Sequence, residues 1–139
     1  MNNLCADIGW KSINHDGEQL CGDHVDIIEQ GDNSTIIVLA DGLGSGVKAS
    51  ILSTLTSKII STMVAAGLPL EDCVSTIAQT LPVCKTRGVA YSTFTIIHLI
   101  NNETAELIQF DNPRVILLRN CEDFDYPKTE LNIDGKTIY

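Results

Sequence analysis

Basic residues are scarce in this sequence. Its 139 residues include 9 Lys and Arg against 18 Asp and Glu, which gives a net charge of −9. Proteins that bind nucleic acid or an anionic membrane surface need clustered positive charge. The composition therefore argues against both kinds of partner.

Long hydrophobic runs and paired cysteines are also missing. The most apolar stretch, residues 47–66, is interrupted by serines, threonines and lysines, and no run reaches the roughly 20 apolar residues of a membrane-spanning helix. Residues 1–13 lack the basic start and apolar core of a signal peptide. The five cysteines form no C-x-x-C pair, which argues against a zinc knuckle or a disulfide framework. We expect a cytoplasmic protein with reduced thiols and no membrane segment.

The rest of the composition is that of a globular protein. Hydrophobic residues make up 44% of the chain, and its length suits one domain, residues 1–139, with a real core. Alternation and turn residues predict strands, and a four-residue apolar repeat predicts helices. The predicted strands are 7–13, 24–30, 35–41, 91–100, 104–111 and 114–119, another strand resumes at Lys136, and the predicted helices are 46–66 and 70–81. This order indicates an α+β fold with two helices packed on antiparallel sheet.

The first predicted helix carries a stripe of apolar residues at every fourth position. These residues are Val47, Ile51, Leu55, Ile59 and Met63, and they are flanked by Leu52 and Ile60. Residues with this spacing lie on one helix face, so the stripe is predicted to pack against the sheet. Gly67 is predicted to cap the C-terminus of the helix, because glycine adopts the left-handed conformation needed there.

The most informative segment is the acidic, glycine-rich turn between the second central strand and the first helix. Asp41 ends the apolar run 35–40, and glycines follow at positions 42, 44 and 46. A carboxylate at the end of a strand, beside accessible backbone carbonyls, suits a hard cation. The glycine spacing fits neither the dinucleotide fingerprint nor a phosphate-binding P-loop.

A second acid, Asp23, lies at the start of the preceding strand. If residues 24–30 and 35–41 form a hairpin, Asp23 and Asp41 face each other at its open end, within one residue of register. Carboxylates on facing positions repel unless one is protonated or a cation lies between them. The stretch 19–47 contains no Lys or Arg, which favours the cation. The alternative is that both acids only shape the ends of their strands.

Oxygen ligands select Mg²⁺, Mn²⁺ or Ca²⁺ over zinc. Two carboxylates are too few for a closed cage, so an open, water-rich site of the Mg²⁺ or Mn²⁺ kind is expected. A cation held in this way can activate water for attack on a phosphate ester. The acidic pair is therefore a candidate hydrolytic metal centre.

Several segments together resemble the PPM family of metal-dependent serine/threonine protein phosphatases, in the branch typified by the stage II sporulation phosphatase. The resemblance spans roughly residues 20 to 120, and the combination is more specific than any one segment. The matching segments are Gly22-Asp23, Asp41 to Gly46 before a helix, Tyr91 to Phe94, and Asn112-Pro113 followed by Arg119.

The resemblance implies a four-layer α-β-β-α sandwich with two Mn²⁺ or Mg²⁺ ions at one end. By match, Asp41 would bridge the two metals, Asp23 would bind one of them, and the Gly42 carbonyl would help directly or through water. A metal-bridging water would then attack phosphorus in line, without a covalent enzyme intermediate. The implied substrate is phosphoserine or phosphothreonine on a regulatory protein.

The sequence departs from the family pattern near its C-terminus. The family needs further aspartates late in the domain, and Asp134-Gly135 is not assigned to that role because the residues before it read as a poor buried strand. Since a further strand begins just before Tyr139, we expect the N-terminal portion of a longer phosphatase domain. We expect such a fragment to hold part of the metal centre, to be inactive alone, and to form a homodimer through unpaired sheet edges. The alternative function is a non-catalytic signalling or protein-binding module on the same scaffold.

Overall fold

The fold was analysed in a computed structural model. It describes residues 4–13, 16–17, 21–30, 33–42, 46–80, 83–84, 89–90, 92–110, 112–127, 131–133 and 136–138. Their elements in chain order are β1 (Asp23–Gln30), β2 (Ser34–Gly42), α1 (Gly46–Ala65), α2 (Leu70–Thr80), β3 (Val83–Cys84), β4 (Val89–Ala90), β5 (Ser92–Ile100), β6 (Thr104–Phe110), β7 (Leu118–Arg119), β8 (Glu122–Asp123), β9 (Leu131–Ile133) and β10 (Lys136–Ile138). The predicted α+β class is confirmed.

A four-stranded antiparallel sheet with the order β1-β2-β5-β6 forms the centre of the fold. Residues of β2 alternate between buried even positions and more accessible odd positions, as expected of a strand whose two faces differ in cover. Three further strand pairs, β3-β4, β7-β8 and β9-β10, are short two-stranded ribbons. The sheet thus has one covered face and one open face among the described residues.

The covered face of the sheet packs against α1 and α2. The core cluster consists of Ile36, Val38, Ala40, Ile60, Val64, Cys73, Val74, Ile77, Phe94, Ile96 and Phe110. The connection between the helices is fixed by Gly67, which has a φ of +82°. The Leu68 amide donates to the Met63 carbonyl at 3.1 Å, so Gly67 ends α1 as predicted.

The apolar stripe predicted for α1 does not face the sheet along its first half. Val47, Ile51 and Leu55 are 61%, 59% and 45% exposed. The buried positions of α1 are Leu52 and Ile60, which flank the predicted stripe, together with Ala49, Ser53, Thr56, Ser57 and Val64. Small and hydroxyl-bearing side chains let the helix lie close to the strands, and hydroxyls inside a helix can be satisfied by its own carbonyls.

Two predicted strands are wrong. Residues 7–13 have no regular structure, and Trp10 and Ile13 are 58% and 78% exposed, because no strand pairs with this segment among the described residues. In the predicted strand 114–119, only Leu118–Arg119 is extended and paired. The Val115 amide donates to the Gln109 side chain at 3.1 Å, so this backbone is bonded by a side chain rather than by a neighbouring strand.

The described thiols and helices agree with the composition. Cys5, Cys21, Cys73 and Cys121 are free thiols. No helix among the described residues is long and apolar enough to cross a membrane.

Candidate metal centre

Asp23 and Asp41 lie opposite each other on neighbouring strands, as predicted. Asp23 is the first residue of β1 and pairs with Asp41, the penultimate residue of β2. Beyond them, the Gly42 amide donates to the Gly22 carbonyl at 2.9 Å. This bond holds the open end of the β1-β2 ribbon together and keeps both carboxyl groups on one face of the sheet.

The carboxyl group of Asp41 is harder to ionise than that of an ordinary aspartate. The pKa of Asp41 is raised from 3.8 to about 6. Partial shielding of its carboxyl from water is the largest cause, although the residue as a whole is exposed; a hydrogen bond with Asp23 and the Asp23 charge raise it further. Near neutral pH, the pair therefore carries repulsion that a divalent cation would relieve. The donor set fits a hard cation, because it consists of carboxylate oxygens.

Gly42 is required by the close approach of α1 to β2. A Cβ at this position would lie 2.0 Å from the Ala49 carbonyl oxygen. Residue 42 therefore has to be glycine if the start of α1 is to rest on the strand that carries Asp41. The glycine predicted as a backbone ligand thus has a packing role as well, and Leu43 to Ser45 lie outside the described residues.

A polar row extends from the acids across β5. Thr93 pairs with Asp41, and its hydroxyl donates to the Asn112 side-chain oxygen at 2.6 Å. The Asn112 amide nitrogen donates in turn to Thr95 at 2.9 Å. Thr93 could not be assigned to the site from the sequence. Two helices separate β2 from β5, so the register of these two strands cannot be counted across a short turn.

Within the part of the chain that the structure describes, the acids form a pair rather than a larger cluster. Among the described residues, no group of three or more His, Cys, Asp or Glu could hold a metal ion. Asp134 lies outside the described residues, so the structure does not place it. What this part of the chain offers is two carboxylates at the end of a sheet, with a packed helix behind them.

The chain matches the model of a known family. The model of the family described as stage II sporulation protein E (SpoIIE) matches residues 31–133, which is most of the chain. A comparison with curated proteins gave no match.

Solved structures share the fold. The PP2C phosphatase domain of SpoIIE from Bacillus subtilis, solved with a fragment of its regulatory domain, superposes with a TM-score of 0.75 at 18% identity, over 93% of this chain and 40% of that one. RsbX in complex with magnesium gives a TM-score of 0.65 at 24% identity, over 91% of this chain and 58% of that one. Another structure of the SpoIIE phosphatase domain from Bacillus subtilis, in a crystal form without domain swapping, gives a TM-score of 0.52 at 19% identity, over 83% of this chain and 49% of that one. The sequence thus spans 40% to 58% of the length of these chains.

Proposed function

Because the chain belongs to the stage II sporulation protein E (SpoIIE) family, we propose that it is the metal-binding, N-terminal portion of a phosphoprotein phosphatase domain. The reaction is hydrolysis of phosphoserine or phosphothreonine on a regulatory protein in the cytoplasm. The observation that carries this proposal is the pairing of Asp23 with Asp41 at the open end of the β1-β2 ribbon.

The acids have distinct roles in this proposal. Asp41 lies on β2, between β1 and β5, and would be a ligand shared by two Mn²⁺ or Mg²⁺ ions. Asp23, on the edge strand, would bind one of them, and the Gly42 carbonyl would contribute directly or through water. When bound, the cations lower the pKa of water and neutralise charge that develops on the phosphoryl group. The protein holds the carboxylates in register so that little reorganisation is needed on binding.

The described residues hold only part of such a centre. Two carboxylates leave most positions around a divalent ion to water or to other ligands. We therefore propose that further carboxylates of the complete domain lie outside the described residues. The activity of the isolated chain is then much lower than that of the complete domain.

The test is a phosphate-ester assay on the full-length protein with Mn²⁺ or Mg²⁺ titrated in. Asp41→Asn is expected to lower kcat/KM by 100-fold or more, on the order of 3 kcal/mol of transition-state stabilisation. The matched control is Glu29→Gln, because Glu29 is an exposed acid on the neighbouring strand β1, on the same face of the sheet as the acidic pair but at the far end of the strand. Unchanged activity in Asp41→Asn defeats the mechanism.

One observation favours a second candidate, a non-catalytic protein-binding module. The outer face of α1 presents Val47, Ile51 and Leu55 to solvent, and contiguous exposed apolar residues are typical of interaction sites. The same assay distinguishes the two functions. A binding module gives no turnover with either metal in the full-length protein, and Asp41→Asn then leaves its partner binding unchanged.

A further inference from the structure

Asp26 connects the strand of Asp23 to helix α1. Asp26 is a residue of β1 and pairs with Val38 of β2. Its side chain is 20% exposed and lies on the helix-covered face of the sheet. The Ser57 hydroxyl donates to its carboxylate at 2.5 Å. Lys58 Nζ and His24 Nε2 lie 3.6 and 3.5 Å from the same oxygen. This is a polar attachment in an otherwise largely apolar interface.

The hydrogen bond of Ser57 differs from those of its neighbours in α1. Ser53 and Thr56 are equally buried, but their hydroxyls donate to carbonyls of the same helix, at 3.1 and 2.8 Å. Ser57 instead reaches a side chain 31 residues away. A hydrogen bond to a charged group is shorter and stronger than one between neutral groups, so this contact fixes where β1 lies relative to α1.

β1 needs such an attachment because it is an edge strand. Among the described strands it pairs only with β2, and Asp23 is its first residue. An edge strand is free to shift on its unpaired side. Asp26 lies three positions from Asp23 and faces the helix, so it restrains the segment from which the Asp23 carboxyl projects.

Helix α1 also fixes the partner acid. The backbone of α1 at Ala49 lies so close to Gly42 that a single added Cβ would clash. One helix therefore contacts both acid-bearing strands, β2 through this backbone approach and β1 through Asp26. The separation of Asp23 and Asp41 depends on both contacts.

We propose that Asp26 is a positioning residue of the metal centre, which acts with Ser57 to hold Asp23 at the distance from Asp41 that a shared cation requires. This inference rests on the proposed function, in which Asp23 binds the cation. Groups that orient metal ligands from behind commonly change metal affinity 10- to 100-fold when removed. A group that acts through three residues of strand is expected to have a smaller effect.

The experiment compares Ser57→Ala with Ser53→Ala in the full chain. Both remove a fully buried serine hydroxyl from the same helix, but the Ser57 hydroxyl donates to Asp26 of β1 and the Ser53 hydroxyl donates to a carbonyl of α1. Calorimetric titration with Mn²⁺ is expected to show affinity about three- to tenfold weaker in Ser57→Ala and within about twofold of wild type in Ser53→Ala. Asp26→Asn keeps an oxygen acceptor for Ser57, so it retains more affinity than Asp26→Leu. Equal affinities for the two serine variants overturn the proposal.

Backbone hydrogen exchange separates this inference from the proposed function. In metal-free protein, the β1 amides are expected to exchange at least about threefold faster in Ser57→Ala than in Ser53→Ala. If wild type binds no Mn²⁺, the proposed function fails while this exchange difference still shows that Asp26 restrains β1. If exchange in β1 is the same in both variants, the positioning role is wrong, whatever the metal affinity.

Discussion

The two faces of the central sheet differ in cover and in chemistry. On the helix-covered face, Val38 and Ile96 are completely buried. On the other face, Leu39 is 41% exposed and Asp41 is exposed beside it on the same strand. The covered face stabilises the fold, and the open face carries the acids. Because successive residues of a strand point to opposite faces, substitutions one position apart are expected to affect different properties.

The largest expected difference is between core and open-face truncations. Phe94→Ala removes a side chain that is 1% exposed and packs on Phe110, and is expected to lower the free energy of unfolding by about 3–5 kcal/mol. Leu39→Ala on the open face is expected to cost less than about 1 kcal/mol. Urea unfolding measures both. Similar losses would show that the open face is covered in solution.

Gly42→Ala is expected to have the next largest effect, because Gly42 directly follows the open-face residue Asp41 and itself lies against α1 on the covered face. The added methyl group meets the Ala49 backbone, so α1 or the end of β2 has to move, at about 3 kcal/mol or more. Gly9→Ala is the control, since a Cβ there has nothing within 4 Å. If Gly42→Ala were as stable as Gly9→Ala, the close approach of α1 to β2 would be wrong.

Asp41→Asn is expected to have a smaller effect of opposite sign in metal-free protein. Partial burial and, next, the neighbouring Asp23 raise the pKa of Asp41 to about 6, so the ionised form of Asp41 is disfavoured at pH 7. Removing one charge should raise the free energy of unfolding by about 1 kcal/mol, because solvent screening reduces the full value of the shift. Denaturant unfolding in the presence of a chelator measures this difference. A loss of stability would mean that the carboxylates do not repel each other.

The smallest effect is the pH dependence of that difference. The folded pKa of Asp41 is about 6 and its ordinary value is 3.8, so the native state binds more protons than the unfolded state between these values. Its contribution to metal-free stability is therefore fully present below about pH 4 and is lost as pH rises through 6. Wild type is expected to match Asp41→Asn at pH 4 and to fall below it by pH 7. A difference that does not change with pH would contradict this account.

The local features of the site could be predicted from the sequence. The Asp23–Asp41 pairing follows from a short turn, because a hairpin fixes the register on both sides of it. Gly67 and the extent of α1 follow from capping and periodicity. Each of these features is determined by residues that lie close together in the sequence.

Long-range features could not be predicted. The inward face of α1 depends on how near the helix lies to β2, which favours Ala49 and Ser53 over the larger Val47 and Ile51. The contact of Ser57 with Asp26 and the pairing of Thr93 with Asp41 join segments separated by whole elements. Periodicity identifies an apolar stripe, but it does not tell which stripe the tertiary packing will bury.

The central claim is that Asp23 and Asp41 bind one cation together, and calorimetric Mn²⁺ titration of the single and double Asn variants in the full-length protein tests it most directly. Because ligands to a shared ion act as a unit, each single variant is expected to lose more than about tenfold in affinity, and the double variant little more than either. Wild-type affinity in Asp41→Asn, or single losses that simply add in the double variant, would contradict the account.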